Sequence, residues 1–413
     1  MEVLFSEISK LIGTQNEVKF GAEMKELGVI NNAYMLVKDG IIAEIGEGLP
    51  DNIPSNHVKL NGAEVLPGFI DSHTHLVFAK PRYNEFVLKI KGATYEQIAA
   101  SGGGILNSAK ALQETPEDKL FEDAKLRVKS MIAAGTTAIE IKSGYGLTLD
   151  AELKMLRVVK KLKEYFPIII KSTFLGAHAI PAEYKDNTDN YVDLVINEML
   201  PQVAKDALAD HIDVFCDTGF FTPEQTDKIL KEALKYNLPA KIHGNELGLT
   251  GGVQVAVANE AWSVDHLEHL GPEEIACLKK GFTKEYGGTM PVALPGTSYF
   301  LRIPYSDARA IIDNNLPLVL ATDFNPGSSP VHSLQTISAL ACIYMRILPE
   351  EVFHAITINA ARALRMEKII GSLSVGKRAD FLVMKNKESL YSMPYYLGQN
   401  QVSRVFVEGL EIK

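Results

Sequence analysis

The amino-acid sequence predicts an α/β protein, a (β/α)8 TIM barrel with a small β-sandwich domain formed by the N- and C-terminal segments. Through the middle of the chain, apolar β-type runs alternate with amphipathic helical stretches, a pattern typical of parallel strands joined by crossover helices. Both ends are β-rich, and each is too short for a core of its own. The 413 residues also exceed one ordinary domain. We therefore expect a barrel at residues 67–365 and a smaller domain from residues 1–66 and 366–413.

Short strands are expected at both ends of the chain. Tyr34 to Val37 and Ile41 to Gly46 are apolar runs on either side of Asp39-Gly40, and Asp-Gly between two such runs is a strong signal for a β-hairpin. Near the other end, Ala379 to Met384 and Val402 to Val407 have the composition of strands. We expect the strands of the two ends to pair into one domain.

Eight strand-like runs in the middle of the chain are predicted to form the barrel. Their predicted ends lie near His73, Lys142, His178, Phe215, His243, His266, Leu294 and Asp323. Helices are predicted between them at Pro116 to Gly135, Leu149 to Phe166, Pro223 to Tyr236 and Pro349 to Leu364. Several of these segments begin with proline or an acidic first turn, as helices commonly do. The seventh strand has no clear beginning, because residues 281–288 are glycine-rich and polar.

Composition and charge restrict the partners of this protein. The chain is 46% hydrophobic and 23% charged, as in ordinary soluble globular proteins, and its formal net charge is −9. Nucleic acids and anionic membranes recruit basic patches, so this charge disfavours both and favours a small-molecule substrate. No run of about 18 apolar residues predicts a membrane span. The start predicts no signal peptide, and three widely separated cysteines predict reduced thiols in a cytoplasmic protein.

The segment LPGFIDSHTH, from Leu66 to His75, is the most informative stretch of the chain. Side chains alternate along a strand, so His73 and His75 should point to one face while Thr74 points to the other. Both imidazoles can then reach one cation. Two polar residues that simply leave a strand are the alternative interpretation of this pair, and the apolar strand before it favours a metal site.

Other predicted strand ends also carry metal-binding residue types. The active site of such a barrel lies at the C-terminal ends of its strands, where this sequence places His178, His243, His266 and Asp323. Imidazoles and a carboxylate from distant strands suit a catalytic zinc or iron site. A hydrogen-bonded structural role is the alternative for each histidine, and an Asx turn or helix cap is the alternative for Asp323. The fourth predicted strand has no lysine that could bridge two ions, which favours a single metal.

Three further residues are candidates for substrate chemistry. Glu246 lies three residues after His243, where its carboxylate could move a proton to a leaving nitrogen or could simply be solvated. Arg82 could bind a substrate carboxylate through two parallel hydrogen bonds, or form a surface ion pair with Glu85. Tyr145 follows a Ser-Gly pair, and it could donate its hydroxyl to the substrate or pack as an aromatic side chain.

These motifs resemble those of the amidohydrolase superfamily. Its members begin the barrel with PGF(I/V)DxHxH, here Pro67 to His75, and end the chain with GSLxxGKxADF, here Gly371 to Phe381. Within the superfamily the sequence is similar to the imidazolonepropionase family, which hydrolyses 4-imidazolone-5-propanoate to N-formimidoyl-L-glutamate in histidine degradation. The similarity rests on several further segments taken together: SGGGI at 101–105, KSGYGL at 142–147, FLGAH at 174–178 and TDFNPGSSP at 322–330.

The resemblance implies a metal-dependent hydrolase with one ion, Zn or Fe, in each subunit of a homodimer. The implied metal ligands are His73, His75, His243 and Asp323. The implied substrate-binding residues are Arg82, Tyr145, His178, Glu246, Asn325, Gly327 and Ser328. We expect Asp323 and His266 to take the proton of the attacking water, and Glu246 or His266 to protonate the departing nitrogen. The run from Asn325 to Ser329 is expected to present backbone N–H groups to an anionic substrate.

Two other functions remain open from the residues. The same fold and metal could serve another mononuclear amidohydrolase, a deaminase or a cyclic amidase acting on a purine, pyrimidine or hydantoin ring. The second alternative is not an enzyme: the protein could be a metal-binding module that turns over no substrate. A substrate assay together with metal analysis distinguishes the three functions.

Overall fold

The computed structural model describes residues 1–92, 103–282, 287–385 and 387–412, which form two β-sheets and the helices around them. The fold class predicted from the sequence is confirmed, because one sheet is an eight-stranded parallel barrel and the other contains strands from both chain ends. Residues 101 and 102 of the SGGGI segment and residues 283–286 before the seventh barrel strand lie outside the described residues.

Fifteen strands are present among the described residues. In chain order they are β1 (Glu2–Ile12), β2 (Val29–Lys38), β3 (Ile41–Glu47), β4 (His57–Pro67), β5 (Phe69–Thr74), β6 (Thr136–Lys142), β7 (Ile169–Ala177), β8 (His211–Cys216), β9 (Ala240–Gly244), β10 (Ser263–His266), β11 (Met290–Ala293), β12 (Val319–Leu320), β13 (Phe381–Met384), β14 (Val402–Val407) and β15 (Leu410–Ile412). The outer sheet has the order β15-β14-β13-β4-β1-β2-β3, and the barrel contains β5 to β12 in sequential order.

The outer sheet curls until its two halves face each other. β1 and β14 are three strand spacings apart, which would separate them by roughly 14 Å in a flat sheet. The ring centroids of Phe5 in β1 and Phe406 in β14 are nevertheless 5.4 Å apart. Phe381 of β13 stacks on Phe406 at 4.4 Å between centroids. These rings form the centre of a small core enclosed as in a β-sandwich.

Two tight turns set the register of this sheet. Asp39 and Gly40 join β2 to β3 with φ angles of +50° and +79°, the left-handed pair that a type I′ turn requires. Glu408 and Gly409 join β14 to β15 in the same way, with φ angles of +52° and +73°. The hairpin predicted from Asp-Gly is therefore present.

The first seven barrel strands end within one residue of their predicted ends. The eighth is shorter than predicted, because β12 contains only Val319 and Leu320 and ends three residues before Asp323. Beyond β12, the barrel is closed by single backbone hydrogen bonds to the end of β5. The N–H of Asp323 donates to the His73 carbonyl at 3.0 Å, and the N–H of His75 donates to the Phe324 carbonyl at 3.0 Å.

Helices pack around the barrel and precede or follow its strands. The α-helices are Tyr83–Ile90, Ile105–Glu114, Glu117–Ala133, Leu149–Tyr165, Thr188–Leu194, Leu200–Lys205, Pro223–Leu234, Gly252–Ala258, Pro272–Gly281, Pro295–Leu301, Ala308–Asp313, Leu334–Tyr344, Pro349–Ala355, Ile358–Ala363 and Ser389–Tyr395. Short 3₁₀ segments lie at Gly21–Lys25 and Ala182–Tyr184, and a π-helical turn lies at Val195–Met199. Among the described residues, no helix combines the length and apolar character that a bilayer crossing requires.

The helix predicted from Pro349 to Leu364 is divided in two, so this prediction is wrong. Thr357 leaves the helical conformation, with φ −127° and ψ −101°. The break frees the carbonyl of Ile356, which accepts a hydrogen bond of 2.9 Å from the backbone N–H of Ile70 in β5. A backbone contact with the first barrel strand therefore replaces one turn of helix.

Gly68 connects the outer sheet directly to the barrel. It lies between β4 and β5, its N–H donates to the Asp380 carbonyl at 3.0 Å, and the next N–H, of Phe69, donates to the Gly135 carbonyl at 3.0 Å. A Cβ at Gly68 would collide with the side chain of Thr137. Glycine is required here because the chain passes so close to the neighbouring strand.

Candidate active site

Four ligand atoms converge at the C-terminal end of the barrel. The Nε2 atom of His75 lies 3.2 Å from Nε2 of His73 and 3.2 Å from Nε2 of His243. Oδ1 of Asp323 lies 3.5 Å from Nε2 of both His73 and His75. Ligands bound at 2.0–2.1 Å in a tetrahedral zinc site are roughly 3.3 Å apart. These four separations are close to those of ligands around one ion, and all four side chains are buried.

Two buried carboxylates fix the tautomers of two of the three candidate histidine ligands. Nδ1 of His73 lies 2.6 Å from Oδ2 of Asp265, and Nδ1 of His243 lies 3.0 Å from Oδ1 of Asp213. Because a carboxylate accepts, each Nδ1 carries the proton and each Nε2 directs a lone pair into the cluster. Converging lone pairs repel each other unless a cation lies between them. The donor set therefore fits a metal ion.

Asp323 is oriented by hydrogen bonds to one of its two oxygens. Its Oδ2 accepts from Thr297 Oγ1 at 2.6 Å and from Asn325 Nδ2 at 2.9 Å, which leaves Oδ1 facing the histidines. The Asx turn proposed as an alternative role for Asp323 is formed instead by Asn325. Its Oδ1 accepts from the backbone N–H groups of Gly327 and Ser328, both at 2.8 Å.

His266 lies beside the ligands between two carboxylates. Its Nδ1 is 3.4 Å from Oε2 of Glu268 and 3.5 Å from Oε2 of Glu246. Burial alone would lower the pKa of His266, but the charges of Glu246 and Glu268 raise that pKa well above its ordinary value. His266 also has a φ of +88°, a strained conformation for a residue with a Cβ and one that recurs at functional sites.

Glu246 is placed for proton exchange at neutral pH. Burial raises its pKa to about 7, against the opposing effect of His266. The backbone N–H groups of Glu246 and Leu247 donate to Oδ2 of Asp217 at 2.7 and 2.9 Å, which holds the loop in place. The carboxyl group is mostly buried, so the solvated surface position considered from the sequence does not apply.

His178 and Tyr145 form an aromatic wall next to the ligands. The His178 ring stacks on His75 with centroids 5.0 Å apart, and the Tyr145 ring lies 5.6 Å from His178 and 5.9 Å from His75. Nδ1 of His178 lies 3.0 Å from the Gly144 carbonyl, to which it donates. Burial lowers the pKa of His178 to about 3, so its imidazole is neutral.

Arg82 extends this wall away from the ligands. Its guanidinium carbon lies 5.9 Å from the centroid of Tyr145, and its Nε donates to Ser108 Oγ at 2.8 Å. The ion pair with Glu85 is present at 3.8 Å, but it is largely buried rather than on the surface. A Cβ at Gly327 would collide with the guanidinium, so glycine makes room for Arg82.

The loop from Asn325 to Ser328 does not present its backbone N–H groups as predicted. The N–H groups of Gly327 and Ser328 donate to Asn325 Oδ1 within the loop, so the expectation that they face an anionic substrate is wrong. The Asn325 amide in turn donates to Asp323 and to Ser328 Oγ, the latter at 2.7 Å. Asn325 and Ser328 thereby support a candidate ligand, and Gly327 lies against Arg82.

Sequence reasoning missed the charged residues below the ligands. Asp213, Asp265 and Lys142 are fully buried and face one another inside the barrel. A charged residue in an otherwise apolar strand is costly to bury without a partner, and that signal was available in β6, β8 and β10. Lys171 of β7 lies 3.5 Å from Asp210 and forms an ion pair there.

Comparisons with known proteins identify the family of this chain. Residues 65–412 match the model of the Amidohydrolase family. The imidazolonepropionase of Flavobacterium johnsoniae is 49% identical over 391 residues, which cover 94% of each chain. The imidazolonepropionase of Christiangramia forsetii is 48% identical over 414 residues, which cover 99% of each chain.

Solved structures show the same fold at low identity. A triazine hydrolase variant superposes with a TM-score of 0.77 at 16% identity, covering 99% of this chain and 94% of that one. Guanine deaminase from C. acetobutylicum with bound guanine has a TM-score of 0.73 at 18% identity and full coverage of both chains, 100% each. From the family match and the full-length relatives, this chain belongs to the amidohydrolase family and, within it, to the imidazolonepropionases.

Proposed function

We propose that this protein hydrolyses the ring C–N bond of 4-imidazolone-5-propanoate and releases N-formimidoyl-L-glutamate, a reaction of histidine degradation. The observation that carries the proposal is the pairing of a metal-binding cluster with a buried guanidinium. The Tyr145 ring lies between Arg82 and His75. Its centroid is 5.9 Å from the guanidinium carbon of Arg82 and 5.9 Å from the centroid of the His75 ring. A ring at the cluster can therefore extend a carboxylate towards Arg82.

The metal centre would contain one ion held by His73, His75, His243 and Asp323, whose four ligand atoms have suitable separations. Three imidazoles and one carboxylate accept zinc and iron alike, and we propose either metal. When bound, the ion would activate a water molecule and polarise the ring carbonyl.

The protein side chains would move the protons. Asp323 presents Oδ1 next to the ligands, where it would accept a proton from the attacking water. Glu246, with a pKa of about 7, would take up that proton and return it to the ring nitrogen. As the C–N bond breaks, the carbon keeps the water oxygen as a carboxylate, the nitrogen leaves with the proton that Glu246 returns, and the second proton of the water passes to solvent. His266, whose raised pKa keeps it protonated, would stabilise negative charge on the oxygen.

The remaining residues would bind the substrate. Arg82 would hold the propionate through two charge-assisted hydrogen bonds, and Tyr145 and the neutral His178 would pack against the ring and donate or accept hydrogen bonds. Asn325 and Ser328 would keep Asp323 oriented, and Gly327 would leave space for Arg82.

A direct assay tests the proposed reaction. With the metal-loaded protein, the absorbance of 4-imidazolone-5-propanoate should fall while N-formimidoyl-L-glutamate is produced. Guanine and hydantoin should remain unchanged. Release of ammonia from guanine without imidazolone turnover would indicate a deaminase instead. Bound metal without turnover of any ring would indicate a metal-binding module, so metal analysis should be made on the same sample.

We also propose the domain division and the cellular setting. Residues 1–66 and 366–413 would form one domain, which the shared sheet of β1–β4 and β13–β15 supports, and residues 67–365 would form the barrel. The enzyme would act as a homodimer in the cytoplasm, where its free cysteines Cys216, Cys277 and Cys342 would stay reduced. Its net charge of −9 disfavours nucleic acid and anionic membrane as partners.

A further inference from the structure

We propose that Lys142 is a positioning residue that aligns two metal-binding histidines at once, through the carboxylates of Asp213 and Asp265. The inference deepens the proposed function and rests on the metal centre described there. Lys142 is the last residue of β6, and its side chain is completely buried inside the barrel. Nothing in the proposed reaction uses its ammonium group, so its burial requires another explanation.

Three carboxylates surround the ammonium of Lys142. Its Nζ donates to Oδ2 of Asp213 at 2.8 Å and to Oε1 of Glu140 at 2.9 Å, and it lies 3.8 Å from Oδ2 of Asp265. An ammonium has three donors and no acceptor, so it can serve two or three carboxylates at the same time. All four side chains are fully buried, where the attraction between opposite charges is strong.

Two of these carboxylates also bind candidate ligands. Asp213 uses its other oxygen, Oδ1, to accept from Nδ1 of His243 at 3.0 Å and from the His243 backbone N–H at 3.1 Å. Asp265 Oδ2 accepts from Nδ1 of His73 at 2.6 Å. Lys142 thus connects the supports of histidines on β5 and β9, which are not neighbours in the barrel. The hydrogen bond from Lys142 to Oδ2 of Asp213 holds the carboxylate with Oδ1 directed at His243.

The nearby Lys241 contacts the support of only one of the two histidines. Its Nζ donates to Ser263 Oγ at 2.6 Å and lies 3.6 Å from Oδ2 of Asp265, so it reaches the support of His73. Its hydrogen bond goes to a hydroxyl group, whereas Lys142 donates directly to the carboxylate that holds His243. Loss of Lys142 should therefore free Asp213 to rotate, and the His243 ring should lose its fixed orientation. Removing such a support typically weakens metal binding by about 10–100-fold.

Cobalt binding tests this role without depending on turnover. Co²⁺ is titrated into the metal-free full-length protein, and its visible absorption reports both affinity and coordination geometry. We expect Lys142→Met to weaken Co²⁺ binding by about 10–100-fold and to change the spectrum. Glu140→Gln is the matched control, because Glu140 contacts the same ammonium but neither histidine, and it should keep the wild-type affinity and spectrum.

The possible outcomes separate this inference from the proposed function. Wild-type affinity in Lys142→Met would overturn the positioning role and leave the metal centre intact, and an equal loss in Glu140→Gln would overturn it too. If Lys142→Met does not fold, the charge-balanced variant Lys142→Met with Glu140→Gln takes its place, with the same expected loss relative to Glu140→Gln alone. A wild-type protein that binds no Co²⁺ would overturn the proposed metal centre itself, and this inference with it.

Discussion

The backbone N–H of Asp323 donates a hydrogen bond of 3.0 Å to the carbonyl oxygen of His73. This bond joins two candidate metal ligands and also closes the barrel between its first and last strands. A second bond of 3.0 Å, from His75 to Phe324, lies next to it. Since a metal ion would bind residues on both sides of this seam, metal binding and barrel closure should stabilise each other.

Removal of the metal should therefore lower the thermal stability of the whole protein. A ligand present at 100 times its Kd adds about 2.7 kcal/mol to the free energy of unfolding, and Tm should fall measurably after chelation and recover when metal is restored. Differential scanning calorimetry measures the change. The variant His243→Ala is the control, since it should show little difference between treated and untreated samples. An unchanged Tm for the wild-type protein would mean that the seam does not depend on the ion.

Asp323→Asn should keep the fold and lose nearly all turnover. The amide can still contact Thr297, but it has lost the charge that faces His73 and His75. We expect kcat to fall by about 10³-fold or more, with an unchanged far-ultraviolet circular dichroism spectrum. Asp313→Asn, which removes an exposed carboxylate paired with Arg309, should retain activity. Full activity in Asp323→Asn would exclude this residue from the metal centre.

Arg82→Met should impair binding of the propionate group selectively. Loss of two charge-assisted hydrogen bonds to a carboxylate should raise KM by about 100-fold for 4-imidazolone-5-propanoate. A ring analogue that lacks the carboxylate should be affected little. Lys80→Met is the matched control, because it removes an exposed positive charge from the same loop. Steady-state kinetics should be measured with the natural substrate and with the analogue. An equal rise in KM for the two would show that Arg82 does not bind the propionate.

Asp210 should contribute stability that depends on pH. Burial alone would raise its pKa, but the charge and hydrogen bond of Lys163, with the Ser172 N–H, lower the pKa of Asp210 from 3.8 to about 2. Because the folded-state pKa is lower than the unfolded-state value, the stabilisation is complete above pH 3.8 and disappears as the pH falls towards 2. Asp210→Asn should accordingly lower Tm at pH 7 by about 2–4 °C.

The same variant should match the wild-type protein more closely near pH 3, since the carboxylate is then mostly protonated in the unfolded wild-type chain and part of its stabilising effect is lost. Thermal unfolding followed by circular dichroism at both pH values provides the comparison. Asp206→Asn is the control, because it changes an exposed carboxylate that accepts a hydrogen bond from Gln202. Its Tm should equal that of the wild-type protein at both pH values. A Tm difference for Asp210→Asn that does not change with pH would show that the ion pair is not responsible.

The barrel strands could be predicted because their physical signal is local. Each buried parallel strand is a short, mainly apolar run, and the ends of seven of the eight strands were located from these runs. The eighth failed because β12 is only two residues long and the seam continues as single hydrogen bonds around Asp323. The break at Thr357 has the same origin, since the Ile356 carbonyl binds Ile70, a contact distant in sequence.

The candidate site was predictable where residues lie at strand ends and not where they lie inside the barrel. Counting ligand types at the ends found His73, His75, His243 and Asp323, which the structure brings together. The supporting Asp213 precedes the end of its strand, and its role depends on contacts with residues of two other strands, β6 and β9. Local sequence predicts a turn such as the one at Asn325. It does not predict which backbone N–H groups form hydrogen bonds within the turn and which face the site.

The single glycine between β4 and β5 has a consequence for the order in which the protein matures. The strand that carries His73 and His75 is a direct continuation of β4, and β4 lies between β1 and β13 in the outer sheet. Residues Phe381–Met384 of β13 follow all eight barrel strands along the chain. β4 is therefore held on both sides only after the whole barrel has been synthesised, and we expect metal insertion at the histidine pair to follow synthesis of the barrel rather than accompany it.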